Sequence, residues 1–474
     1  MSHPLAATDA SLFILDDEGV FFFAPRQELY VFNTAATFLW CCVEEGFSVE
    51  ETVDLYCDRF GVSLPEAKVR IADLLNSWWG LGYIGHPGIA PATEISLTTA
   101  LGRLLANPSL RTQFASSPAD TTRMLRVREA DTEAFLALNP QQLEAQALAC
   151  RPRRERQEDI ALGMPTLFSA VADGRGRLSE YAARCRVSTL GMPVLVRHYR
   201  LLGTHFGLRY SSRAQVDSVH PALAQMAIAT PTQTHVWLDI AEGDDGQVIM
   251  DGALPLDIAR GLTDLAPRVK NLLRKLALDR EAFFVELHAG VVSDGTHCVV
   301  LPAAPGSGKT TLTAGLVHSG FDYFSDEIAL LDEATLSLRP VPLGLGIKPG
   351  AVDVLADRFP VLRDLQVHSR EDGRQVRYLS LTPDQVAPHD AKRHARWLIF
   401  PRFAPHAKTR LTPIGRPDAL RRLMHECLVL PNLLDEARVE KLVQWMRRLD
   451  CYELPMSSLD EAVDCIRQAC RRAP

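Results

Sequence analysis

The stretch VVLPAAPGSGKTTLTAGLVHSGFDYFSDE, residues 299–327, decides how the C-terminal half of this 474-residue chain reads. An apolar β-type run leads into a glycine-rich turn, a helical pattern follows, and two carboxylates arrive soon after it. The turn matches the relaxed phosphate-loop pattern, with Ala303 where glycine is commonest. Gly306 and Gly308 let the backbone curl so that successive N–H groups point inward, and the following helix presents its positive end. Ala304, Pro305, Gly306, Ser307, Gly308, Lys309, Thr310 and Thr311 are therefore the candidate nucleotide cradle. Lys309 supplies charge to the β- and γ-phosphates of ATP, and Thr310 offers its hydroxyl to Mg²⁺.

Asp326 and Glu327 follow Lys309 after one short helix and one strand. That compact return brings both carboxylates back to the phosphate end. One is expected to hold Mg²⁺, the other to take a proton from an attacking hydroxyl. Upstream, ELHAGVV places His288 on a strand that leads into the loop. The loop alone leaves the destination of the terminal phosphate open between water, a small molecule and another protein.

Working outward, the composition is that of a globular chain long enough for two or three domains. A net charge of −7 argues against bulk attraction to nucleic acid or anionic lipid. The ten cysteines form no CxxC pair, and no run resembles a signal peptide or a membrane span. The expectation is a cytoplasmic protein, with no nucleic-acid or membrane partner and with a homo-oligomer left open.

Three regions emerge. In residues 1–90, SLFILD, GVFFFA and ELYVFN read as small paired strands. Three helices follow, with Thr34 as one cap and Ser48/Glu51 and Ser63/Glu66 spaced as capping boxes. Val69, Ala72, Leu75 and Trp79 are expected to line much of the third helix. Residues 91–204 show no convincing strand, and Asn107-Pro108, Ser117-Pro118 and Asn139-Pro140 punctuate a bundle of short helices. The arginines at 151, 153, 154 and 156 read as a solvated linker more readily than as a grip for an acidic partner. Residues 205–474 alternate strand and helix: THVWLDIAE, QVIMDG, DEIALLD, RPVPLGLGI and ARWLIFPRF as strands, residues 256–278 as helix, and three amphipathic helices at the end.

LHAGVV, PGSGKTT, SDE and VPLGLGIKPG together resemble the HPr serine kinase superfamily, which shares its core with phosphoenolpyruvate carboxykinases. The resemblance covers about residues 230–415. It implies that Lys309 and Thr310 bind phosphates and metal, Asp326 acts as base, Glu327 helps with metal, and His288 lies near the γ-phosphate; Lys348 is a looser match. Thr311 departs from the acid usual there, which points to a related kinase and not an HPr kinase proper. Residues 10–85 are similar to PqqD-type domains, the recognition elements of ribosomally made, modified peptides. That implies a precursor peptide whose leader adds to the strand containing Leu29, Tyr30 and Val31, against a helix wall of Arg70, Asp73, Leu74 and Ser77. The expected fold is thus multidomain α/β and α+β: a winged-helix-like PqqD domain, a helical middle and an HPr kinase-like P-loop domain. The expected activity is phosphorylation of a peptide Ser or Thr hydroxyl, with a small-molecule kinase and a nucleotide-dependent regulator as alternatives.

Overall fold

The computed structural model describes residues 4–85, parts of 97–143, and 195–472 apart from 244, 245, 253 and 305. Pro305, the arginines at 151, 153, 154 and 156 and much of the expected helical middle lie outside the described residues. The chain is mixed α/β with several sheets, and it divides into two compact units. Among the described residues, no helix is long and apolar enough to cross a membrane.

The first unit comprises Met1–Arg156 together with two later pieces, Arg416–Arg421 and Leu433–Arg447. Its strands β1 (Ala10–Leu15), β2 (Glu18–Phe23) and β3 (Glu28–Phe32) form an antiparallel sheet in sequence order. Phe21 pairs with Leu12 and Tyr30, so these share one face, while Phe22, Ser11 and Leu29 share the other. Helices α1 (Thr34–Glu44), α2 (Val49–Phe60) and α3 (Leu64–Gly80) bury the first face. Phe32 stacks on Phe21 at 4.7 Å and on Trp78 at 5.4 Å, and Trp40 meets Trp78 edge-on at 5.2 Å.

Three local expectations need correction. Asn33, not Thr34, caps α1, its side chain accepting from Ala36 N–H. The Ser48/Glu51 capping box forms, but the Ser63/Glu66 box does not: Ser63 makes no side-chain cap bond, and the Glu66 carboxylate pairs with Arg70 at 2.7 Å. The buried stripe of α3 runs through Ala67, Ile71, Leu75 and Trp78, and leaves Val69 and Trp79 exposed. Helices α4 (Pro108–Ser116), α5 (Pro118–Leu125) and α6 (Glu129–Leu136) follow, two of them opening on the expected prolines. Phe114 and Phe135 close their small core.

The second unit opens with β4 (Leu195–Leu201) and β5 (Thr204–Tyr210), a hairpin turned at Leu202 and Gly203. β4 falls in the stretch expected to be free of strands; its partner lies downstream, beyond local periodicity. After α7 (Arg213–Leu223), β6 (Ala227–Ile228), β7 (Val236–Gly243), β8 (Gly246–Asp251) and β9 (Leu254–Ala259) complete a six-stranded sheet, order β6-β4-β5-β7-β8-β9. The helix expected from residue 256 begins instead at α8 (Leu262–Leu278), where Asp264 accepts from Gly261 N–H. The preceding residues pair with β8 as a bulged edge strand. Helices α7 and α8 seal the core of this sheet through Val219, Leu223, Leu265, Val269 and Leu273.

Next come β10 (Phe283–Leu287), β11 (Ala289–Ser293), β12 (Cys298–Pro302), α9 (Lys309–His318), β13 (Asp322–Ser325) and β14 (Ala329–Asp332). RPVPLGLGI is not one strand: it supplies only the ends β15 (Leu338–Arg339) and β16 (Leu345–Ile347), with two prolines between them. Then follow α10 (Pro349–Leu355), β17 (His368–Ser369), β18 (Gln375–Leu379), β19 (Ala395–Phe403) and β20 (Thr412–Pro413). The chain ends through α11 (Arg416–Glu426), β21 (Leu428–Val429), α12 (Glu436–Arg447), β22 (Asp450–Met456) and α13 (Leu459–Arg472). The sheet that carries the loop has order β13-β11-β12-β19-β22-β20, with β12, β19 and β22 mutually parallel. β11 and β12 are buried on both faces, and α9 packs against both β11 and α13.

Helix α12 belongs to the first unit and packs on β1 and β2. It lies on the face opposite the aromatic core, where Val20 and Phe22 are fully buried; Ser11, paired with Phe22, donates its hydroxyl to Glu436. Gln27 exchanges two hydrogen bonds with the Leu434 backbone, at 3.0 and 2.7 Å. Arg416 pairs with Asp16 at 3.0 Å, and Arg421 with Glu18.

Candidate active site

Strand β12 delivers the loop and α9 receives it. Gly306 and Gly308 take φ of 93° and 86°, the left-handed region where a side chain is strained. Gly308 has a second constraint: a Cβ there would stand 2.7 Å from Met456 Cε. The Ser307 carbonyl accepts from Phe403 N–H at 2.9 Å, which ties the turn to the end of β19. Ala304 accepts from Ser307 N–H at 3.3 Å, and Thr310 and Thr311 occupy the first turn of α9.

Lys309, the first residue of α9, is buried, and its Nζ lies 3.3 Å from His288 Nε2. A charged Lys309 ammonium only donates, and in that state Nε2 accepts and the neutral imidazole carries its proton on Nδ1. His288 is held from behind by its own N–H, which donates to the Cys427 carbonyl at 2.9 Å. Burial lowers the Lys309 pKa, with the negative charge of Asp326 opposing.

The return path is as short as the sequence implies. β13 pairs antiparallel with β11, and Asp326 follows directly at the end of β13. Its carboxyl is buried, reached by the Thr310 hydroxyl and by the charge of Lys309. Burial still raises its pKa above the ordinary value of 3.8. Oδ1 of Asp326 and Oγ of Ser307 are buried without a hydrogen-bond partner among the described residues. Room for this cluster depends on Gly290 of β11, where a Cβ would meet Thr313 Oγ1 at 2.6 Å and Asp326 Oδ1 at 3.7 Å.

Glu327 points elsewhere. Its Oε1 lies 2.5 Å from Lys270 Nζ and its Oε2 3.7 Å from Arg274, both on α8. Burial alone would push its pKa up, but these cations together pull it down to about 2. Neither cation was among the expected site residues. The signal was present: Lys270 sits on the buried stripe of α8 with Ala266, Leu273 and Ala277, where a charge needs a counter-ion.

The structure therefore brings Ser307, Gly308, Lys309, Thr310, Asp326 and His288 together, turns Glu327 toward α8, and places Lys348 on the surface but near enough for its charge to act on Lys309. Among the described residues, no group of three or more His, Cys, Asp or Glu is placed to hold a metal. A divalent ion here would depend on Thr310, water and phosphate oxygens. In the first unit, Tyr30 is exposed on β3, Leu29 is buried on the opposite face, and Val31 is half-buried. On α3, Arg70 is exposed, and Asp73, Leu74 and Ser77 are half-buried. No family model matches the chain, and no curated protein matches it at a significant level.

Proposed function

We propose that the chain is an ATP-dependent kinase of HPr kinase-like type that phosphorylates a Ser or Thr hydroxyl of a ribosomally made precursor peptide. The observation that carries this reading is Asp326: a buried carboxyl with one oxygen unpartnered among the described residues, beside Lys309 at the mouth of a phosphate loop. A hydrolytic switch needs only to orient water, whereas a buried base with a raised pKa suits proton abstraction from a hydroxyl.

In this reading the loop N–H groups and Lys309 hold the β- and γ-phosphates of ATP. Thr310 holds Mg²⁺, which neutralises phosphate charge when bound. Asp326 takes the proton of the acceptor hydroxyl as that oxygen attacks the terminal phosphorus, and ADP departs carrying the electrons of the broken P–O bond. His288 keeps Lys309 aimed at the phosphates. The first unit, read as a PqqD-like domain, takes the leader as an added strand beside the edge strand β3, on which Tyr30 is exposed. Fusing binder and kinase raises the effective concentration of a weakly held peptide.

The test is to incubate the full chain with Mg-ATP and peptides encoded beside its gene, then read intact masses. One peptide gaining a phosphoryl group, and losing that gain when its leader is removed, is the expected result. Transfer only to small molecules, or ATP hydrolysis without transfer, would discard the peptide-kinase reading.

A further inference from the structure

The sequence reading makes Glu327 a metal ligand, yet both of its oxygens face cations of α8. Lys270 is 2% exposed, with its ammonium 2.5 Å from Glu327 and 5.1 Å from the centre of the Tyr378 ring. A buried ammonium demands a counter-ion, and the Glu327 carboxylate supplies it. Asp326 precedes Glu327 directly, so a planar peptide unit joins them and fixing one constrains the other. Across that unit the two carboxylates have diverged: one is neutralised on α8, the other stands by the loop with Oδ1 unpartnered among the described residues.

We infer that Lys270 is a positioning residue: it anchors Glu327 to α8, excludes it from the metal, and leaves Asp326 as the one carboxylate offered to the phosphate end of the loop. The catalytic consequence rests on the kinase reading, but the clamp itself does not. Arg274 adds a weaker second hold from the next turn of the same helix. Glu327 is thus a structural anion beside a working one, and substituting it acts on Asp326 by displacement.

The test uses the full chain with Lys270→Met, Lys270→Arg, Glu327→Gln and the double variant Lys270→Met/Glu327→Gln. Removing one partner of a buried pair strands a charge, whereas removing both does not, so each uncompensated single variant should lower the melting temperature by roughly 5 °C or more and the double variant should recover most of it. Additive losses would overturn the clamp. Mn²⁺ affinity in the presence of ADP, read by electron paramagnetic resonance, should stay within about 2-fold for Glu327→Gln, against the 10-fold or greater loss that follows damage to a metal site. Such a loss, with Lys270→Met unaffected, would make Glu327 a ligand and overturn the proposal. Under the kinase reading, kcat falls by about 10- to 100-fold in Lys270→Met with KM for ATP unchanged, and Lys270→Arg restores it. Melting recovery in a chain that binds no nucleotide would discard the kinase reading and uphold the clamp.

Discussion

Asp326 is held between opposing influences: burial disfavours its charge, while Lys309 and the Thr310 hydroxyl favour it. The balance leaves its pKa raised above 3.8, and burial leaves that of Lys309 below its ordinary 10.5. Transfer requires Asp326 ionised and Lys309 charged, so kcat/KM should fall on the acid side as Asp326 gains its proton and on the alkaline side as Lys309 loses one. The acid limb should lie above pH 3.8, and the alkaline limb below 10.5. Asp326→Asn should reduce transfer by about 100-fold or more while ATP binding stays within a few-fold, measured by rapid-quench transfer and by calorimetry. Retained transfer would remove Asp326 as the base. Glu327 titrates with the opposite sign. Its folded pKa is depressed from 4.5 to about 2, so its stabilising contribution is complete above 4.5 and is lost as pH falls toward 2. Melting temperature followed through that window should drop, and Lys270→Met should flatten the drop.

At the scale of elements, the turn between β12 and α9 stands on glycine for two separate reasons at Gly308, its left-handed φ and the Met456 methyl. Gly308→Ala should cost about 1–2 kcal/mol from backbone strain alone, with further loss from the clash, and nucleotide affinity should fall with it. Denaturant melts and calorimetry would check both; a stable variant with unchanged affinity would show that the turn relaxes freely. The same elements show what was legible in the chain. β1 to β3, β12 and β19 announce themselves because each is a run rich in apolar residues bounded by turn formers. β9 does not: LPLDIA runs directly into an amphipathic helix, and only its pairing with β8 makes it a strand. The stripe of α3 is misjudged for a related reason, since Val69 and Trp79 look like core until the neighbouring Trp78 is seen to take that place. The loop, Asp326 and His288 were accessible because their motif is local. Lys270 and Glu327 meet across 57 positions of sequence, and a lone lysine on a buried stripe names no partner.

At the scale of the whole molecule, the first unit is assembled from residues near both ends of the sequence. The pairs that join these pieces, Arg421 with Glu18 and Arg416 with Asp16, are partly solvent-exposed, so each contributes modestly. Glu18→Arg or Arg421→Glu alone should destabilise the chain by about 1 kcal/mol, and the double exchange Glu18→Arg/Arg421→Glu should recover much of that, measured by thermal melting. Equal losses in all three variants would show that the pair carries no specific attraction. The apolar contact of α12 with the Val20 and Phe22 face is the larger bond, and its consequence is one of timing. A ribosome releases β2 early, but the helix that covers it is made roughly four hundred residues later, a wait of about 20–80 s at ordinary elongation speeds. Throughout that interval the nascent chain carries the apolar Val20 and Phe22 face uncovered, which makes it a client for holdase chaperones and leaves any fragment stopped short of residue 433 prone to aggregate.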